Sequence, residues 1–195
     1  LERVSLTVDA GECLGIGGAN GAGKTTILRL IATLKPPTKG TGTVLGAHLG
    51  SREIYQVRPL IGMAGHAPAL YPELTLLENL RFICRMVEKP DRLAEETLAV
   101  VGLAAAAGRR AEQCSNGMQR RADLARLLMI PPQLLLLDEA HAGLDADAEA
   151  IIAELVARTV GSGGSAVMVS HDPATLAGLA HRVLALRSGL LGETL

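Results

Sequence analysis

Apolar residues along this chain fall into two rhythms, short unbroken runs and longer helical spacings, and the two alternate. Leu14 to Gly17, after Gly11-Glu12, is a short apolar run that opens into a glycine-rich turn. Ile27, Leu28, Leu30, Ile31 and Leu34 then recur at helical spacing until Pro36-Pro37. Thr43 to Leu45 predicts a short strand, and Pro59 to Pro72 an irregular connector. Thr75 and Glu78 have the spacing of a capping box, which predicts a helix over Leu76 to Val87. Asp91 predicts the cap of a second helix ending near Gly102. Beyond Asn116 the pattern is regular: helix Met118 to Met129, strand Leu134 to Leu137, helix Asp147 to Thr159, strand Ala166 to Ser170, helix Pro173 to Leu179, strand Arg182 to Leu186. A strand that is apolar at every position, like Leu134 to Leu137, is buried on both faces, as parallel strands between helix layers must be. The expectation is an α/β fold, a mostly parallel sheet flanked by helices, built from residues 1–65 and 116–195, with a small helical subdomain at 66–115.

Composition narrows the function classes. The 195 residues are 48% hydrophobic and 20% charged, enough for a real core, and 19 Lys and Arg against 20 Asp and Glu leave a net charge of −1. No global field draws the chain onto nucleic acid or anionic lipid, so a polyanion must be met by a local site. With Tyr55, Tyr71 and Phe82 as the aromatics and no Trp, neither a base-stacking platform nor a membrane aromatic belt can be built. Cys13, Cys84 and Cys114 form no C-x-x-C pair, which predicts buried thiols in a reducing compartment. The longest apolar stretch, Leu127 to Leu137, is broken by Pro131-Pro132 and is far short of the ~20 residues a spanning helix needs. The start, Leu1-Glu2-Arg3, has neither Met nor a signal peptide and reads as an internal point of a longer protein.

The candidate chemistry lies at the ends of the predicted strands. Gly18-Ala19-Asn20-Gly21-Ala22-Gly23-Lys24-Thr25, followed by Thr26, fits G-x-x-x-x-G-K-[ST] between a strand and a helix. Backbone N–H groups of such a loop and the helix N-terminus favour phosphate oxygens. Lys24 is expected to reach the β- and γ-phosphates of a nucleoside triphosphate, and the Thr25 hydroxyl to ligate Mg²⁺. Asp138 ends a buried strand, where α/β sheets place ligands, and is the expected second metal contact, through water. Glu139 is the expected general base on the attacking water. His171 ends another buried strand and is expected to contact the γ-phosphate. The fold class is thereby sharpened to a P-loop NTPase.

Cys114-Ser115-Asn116-Gly117-Met118-Gln119 resembles the L-S-G-G-Q signature of the nucleotide-binding domains of ATP-binding-cassette (ABC) transporters, 23 residues ahead of Asp138 when counted from Ser115. The phosphate loop, this signature, Asp138-Glu139, Gly143-Leu144-Asp145 and His171 come in that family's order, and the resemblance covers nearly the whole chain. Ser115 and Gly117 stand ahead of a predicted helix whose free N–H groups form a second anion site. The resemblance implies that they contact the ATP of a second ABC ATPase domain, a homodimer partner packed head to tail, with Asp145 connecting the two sites. It also implies an integral membrane permease as the other partner and a peripheral place on the cytoplasmic face of the cell membrane. Nucleic acid is not expected as a partner.

Departures from the family pattern are informative. His66 stands where such domains usually carry a Gln; a neutral imidazole can hydrogen-bond the attacking water but is a poor ligand for a hard cation. Cys114 replaces Leu and Asn116 replaces Gly in the signature. The aromatic that stacks on adenine in the family, and a first strand, would lie upstream of Leu1. Gly65-His66 followed by Glu73-Leu74-Thr75-Leu76-Leu77-Glu78-Asn79-Leu80-Arg81-Phe82 is similar to ATPases of the cytochrome c maturation (heme exporter) group, and multidrug-type exporter ATPases share most of it. The loop from His66 to Pro72 would meet the permease, with Tyr71 as its exposed anchor. Two other classes compete: a soluble ABC-type ATPase acting on nucleic acid, which would need coiled-coil insertions and basic surface, and a regulatory nucleotide-binding module without turnover, which Glu139 and His171 speak against.

Overall fold

The computed structural model describes residues 1, 4–141, 145–187 and 189–193. The chain folds into two compact units, one of residues 1–66, 132–141 and 156–195, the other of residues 67–131 and 142–155.

The first unit is built on a sheet of strands β1 (Cys13–Gly17), β4 (Ile61–Ala64), β5 (Leu134–Asp138), β6 (Ser165–Ser170), β7 (Arg182–Arg187) and β8 (Leu190–Glu193) in the order β4-β5-β6-β1-β7-β8. All neighbours run parallel except β8, which returns antiparallel to β7. Leu134 and Leu136 join a cluster with Leu14, Ile16, Val167, Val169 and Leu28, while Leu135 and Leu137, on the opposite face, are also fully buried. Each buried leucine contributes about 2 kcal/mol of burial. This explains why the all-apolar run can exist only between two helix layers. Helices α1 (Lys24–Ile31) and α7 (Pro173–Leu179) pack on the sheet, and β2 (Thr43–Val44) with β3 (Ala47–His48) makes a small separate hairpin. α2 (Ile54–Val57) is a single turn before β4.

The second unit holds α3 (Leu76–Met86), α4 (Arg92–Val100) and α5 (Asn116–Met129) around Leu76, Leu80, Leu98, Leu103, Ala122 and Ala125. The capping box at α3 is present in full: Glu78 N donates to Thr75 Oγ1 (3.1 Å) and Thr75 N to Glu78 Oε2 (2.8 Å). α6 (Ala146–Gly161) begins in this unit.

Several sequence expectations are corrected. The second unit takes in α5 and residues 142–155 beyond the expected 66–115, because Ala122, Ala125 and Met129 pack with α3 and α4. The connector expected from Pro59 to Pro72 contains β4, whose four residues pair with β5 from Ile61↔Leu134 to Ala64↔Leu137. α1 ends at Ile31, ahead of Pro36-Pro37, because Thr33 takes a left-handed conformation (φ 59°) and Arg58 donates to its Oγ1 and carbonyl. Asp91 precedes α4 but makes no side-chain cap; it pairs with Arg85 instead. β3, α2 and β8 are additions to the elements that the apolar pattern predicts.

Candidate phosphate site

Parallel register gathers the candidate residues at one edge of the sheet. Gly17 pairs with Ser170 and Asp138 with Val169, so the chain leaves β1 into the glycine-rich loop, β5 into Glu139 and β6 into His171 at the same level. Ala64, at the end of β4, is level with Leu137. This is the carboxyl edge where open α/β sheets bind ligands.

The loop turns into α1 at Gly23, whose φ of 106° a side-chain-bearing residue rarely adopts. Buried Lys24 donates from Nζ to the carbonyls of Gly18 (2.6 Å) and Ala19 (3.2 Å) and forms an ion pair with Glu139 Oε1 at 3.2 Å. Glu139 Oε2 lies 2.8 Å from His171 Nδ1 and also accepts the His171 backbone N–H at 3.3 Å. Burial alone would raise the Glu139 pKa, yet the hydrogen bonds from His171 and Lys24 outweigh it and hold the carboxyl below its ordinary value of 4.5. Glu139 also sits at φ 50°, an unfavourable backbone for a residue with a side chain, costing on the order of 1 kcal/mol. Its own N–H is anchored to Val169 O at 3.0 Å.

A cavity of about 240 Å³ opens here, lined by Asn20, Gly21, Gly23, Lys24, Thr25, Thr26 and Glu139. Thr25 Oγ1 donates to Asp138 Oδ1 at 3.0 Å, which puts a hydroxyl and a carboxylate oxygen side by side. Two adjacent hard oxygens beside a phosphate loop fit Mg²⁺, which is bound through one or two protein oxygens and completes its shell with phosphates and water. Ala22 packs on the core instead of lining the cavity. His66 is exposed two residues beyond β4 and is not among the lining residues.

Ser115, Gly117 and Asp145 assemble in the second unit. Ser115 caps α5, its Oγ accepting from Met118 N at 3.3 Å, and Gln119 Nε2 donates to the Cys114 carbonyl at 3.1 Å. Asp145 caps α6, its Oδ1 accepting from Ala148 N at 2.9 Å. A Cβ on Gly117 would lie 3.0 Å from Asp145 Oδ2, so a side chain there would make the Asp145 carboxylate give way by a few tenths of an ångström. Gly143 and Leu144 lie outside the described residues. The three cysteines are buried, and burial pushes the Cys13 thiol up to about 12, which makes it inert near neutrality.

Two buried polar residues with structural reach are given no role by any sequence motif: Asn79 on α3, which lies inside the Glu73 to Phe82 segment, and Asp123 on α5. The available signal is placement. Asn79 sits three residues after Leu76 and Asp123 between Ala122 and Leu124, at positions on the apolar side of their helices.

Comparison with known proteins fits this geometry. Residues 1–142 match the family model described as "ABC transporter". The chain is 34% identical over 202 residues to the methionine import ATP-binding protein MetN of Bifidobacterium longum (strain NCC 2705), covering 100% of this chain and 50% of that protein. It is 37% identical over 167 residues to the cytochrome c biogenesis ATP-binding export protein CcmA of Xanthomonas axonopodis pv. citri (strain 306), covering 84% of this chain and 76% of that protein. The chain thus spans about half the length of the first relative and three quarters of the second. Among solved structures, the dimeric post-hydrolysis state of the ATP-binding cassette MJ0796 bound to ADP and Pi superposes with a TM-score of 0.86 at 27% identity, covering 99% of this chain and 90% of that one.

Proposed function

Because the chain belongs to the ABC transporter family, as one of its ATPase domains, we propose that it hydrolyses ATP to drive a separate membrane permease in an exporter, with heme export for cytochrome c maturation as its specific task. The observation that carries the catalytic part is the chain of contacts Lys24–Glu139–His171 beside the Thr25–Asp138 pair.

In this reading the loop N–H groups and the N-terminus of α1 receive the phosphates, and Lys24 neutralises them. Thr25 and Asp138 would hold Mg²⁺, which supplies positive charge where the phosphates develop negative charge. Glu139 orients the attacking water and takes its proton. As Lys24 turns to phosphate oxygens, one of the groups that depresses the Glu139 pKa is withdrawn and the carboxylate becomes a better base. His171 keeps Glu139 in place and, through its other ring nitrogen, reaches the γ-phosphate. Ser115 and Gly117 serve the ATP of a second copy, and Asp145 links the two sites; the dimeric state of the solved relative supports this. His66 hydrogen-bonds the attacking water in the closed dimer. Loss of turnover in His66→Gln with retention in His66→Ala would contradict that role.

Tyr71 and Phe82 support a membrane partner. Both are exposed, with ring centroids 5.4 Å apart and planes at 82°, an apolar anchor on the second unit. No helix among the described residues is long and apolar enough to cross a membrane. The exporter task rests on the relative CcmA and on Gly65-His66 with the α3 segment. The match to MetN, an import protein, over the entire chain favours import as the second reading. Purification of the full-length Glu139→Gln protein from its native membrane with ATP, followed by mass spectrometry, decides between them. A heme-exporter-type permease supports the proposal; a multidrug-type or import permease changes the cargo; a soluble or nucleic-acid partner overturns transport and leaves the ATP site intact.

A further inference from the structure

Asp123, with 0% of its surface exposed, directs its carboxylate to two ends. Oδ1 accepts from Arg126 Nε at 2.8 Å, and Oδ2 pairs with Arg120 Nη1 at 3.3 Å; both arginines lie on the same helix, α5. Oδ1 also accepts the backbone N–H of Ala69 at 3.0 Å. A buried carboxylate among guanidinium groups is a poor stabiliser compared with apolar side chains of the same volume, so its worth lies in what it positions.

What it positions is the irregular segment from Ala69 to Thr75. Asn79 of α3 holds the rest of that segment: its Oδ1 accepts from Tyr71 N at 2.7 Å, and its Nδ2 donates to the carbonyls of Tyr71 (3.1 Å) and Thr75 (2.9 Å). The segment that presents exposed Tyr71 is therefore clamped by one buried side chain from α3 and one from α5. Asp123 follows Ser115 by eight residues, about 12 Å along the axis at ~1.5 Å per residue. One helix thus carries Ser115 and Gly117 at its N-terminus and, two turns on, a direct bond to the loop bearing Tyr71.

We propose that Asp123 is a positioning residue that couples the N-terminus of α5 to the loop at 69–75, so that nucleotide engaged at Ser115 and Gly117 changes the order of the loop that meets the membrane partner. The inference rests on the reading of Ser115 and Gly117 as contacts to the ATP of a second copy.

The test is hydrogen exchange in the full-length Glu139→Gln protein, with and without Mg-ATP, following the P-loop, the first turn of α5 and the peptide spanning residues 70–75. Two further variants are compared in this background. Asp123→Asn removes the charge, and Ala69→Pro removes the N–H donor while leaving the carboxylate and both arginines untouched, so it decides the matter should Asp123→Asn not fold. The expected result is that ATP slows exchange at 70–75 by about tenfold in the parent and less than about twofold in either variant, while the P-loop and the first turn of α5 are protected as before. A merely structural role would speed exchange at 70–75 by the same factor with and without ATP, leaving the ATP response intact; that result overturns the proposal. So does a parent in which ATP protects the first turn of α5 but not 70–75. A parent in which ATP protects the P-loop but not the first turn of α5 overturns the underlying reading of Ser115 and Gly117, and the coupling with it.

Discussion

The two units organise their candidate residues by different means. In the first, groups from three distant places in the chain, Lys24-Thr25, Asp138-Glu139 and His171, are brought within hydrogen-bonding reach by the shared register of β1, β5 and β6. In the second, Ser115 and Gly117 sit at one helix end, and the nearby carboxylate of Asp145 is bonded to the start of another helix. The first site is built on the Lys24–Glu139 ion pair, where removing either member leaves the other unbalanced. The second is a matter of shape and backbone donors, where a single added methyl group decides. The first should therefore respond to substitution with large losses of chemistry, the second with smaller losses confined to association.

The sharpest break is Glu139→Gln. The amide keeps the shape and loses the base, so turnover should fall by about 10³-fold with ATP affinity retained, as single-turnover hydrolysis and nucleotide binding would show. Lys24→Ala should weaken ATP binding by about 100-fold, in keeping with the loss of a charge-assisted hydrogen bond worth about 1.5–3 kcal/mol, measured by calorimetry.

His171→Ala should lower turnover by about tenfold and move the acid limb of the pH profile. The sign follows from Glu139, whose folded pKa lies below its ordinary 4.5. The stability it contributes is complete above pH 4.5 and is lost as pH falls through the lower folded value. Wild-type kcat/KM should accordingly show no Glu139 limb above that pH, whereas His171→Ala, lacking one of the bonds that depress the pKa, should bring the limb upward. A limb that stays in place would show that Lys24 alone holds the carboxylate.

The smallest effect is expected at the second unit. Gly117→Ala places a methyl group 3.0 Å from Asp145 Oδ2, which must shift. ATP-dependent dimerisation should weaken by about fivefold, on the order of 1 kcal/mol, with the monomer's ATP affinity unchanged. A loss of monomer ATP affinity would erase the contrast between the units.

How far all this is readable in the sequence follows the same division. The phosphate loop, Asp138, Glu139 and His171 are legible because each motif carries its chemistry locally and sits beside a strongly apolar strand. α3 and α7 are legible from Thr75, Glu78 and Pro173, which act within one turn. β4 is not, because its four residues, including Gly62, become a strand only through pairing with β5 from far along the chain. The end of α1 is set by Arg58 reaching Thr33, and the side chain of Asp91 is taken from its helix by Arg85; both are tertiary choices that local pattern does not encode. Among site residues, Ala22 and His66 match motif positions, yet one packs on the core and the other is exposed away from the cavity lining. Asn79 lies inside the Glu73 to Phe82 segment without a role of its own, and Asp123 leaves no motif, only a polar residue on a buried helix face.

The central claim is that the phosphate site of one copy is completed by Ser115 and Gly117 of another. Light scattering of the full-length Glu139→Gln protein on a sizing column, with saturating Mg-ATP, tests it most directly. A dimer is expected with ATP that reverts to monomer without nucleotide and that needs a higher protein concentration to form when Gly117→Ala is added. A monomer saturated with ATP would contradict it.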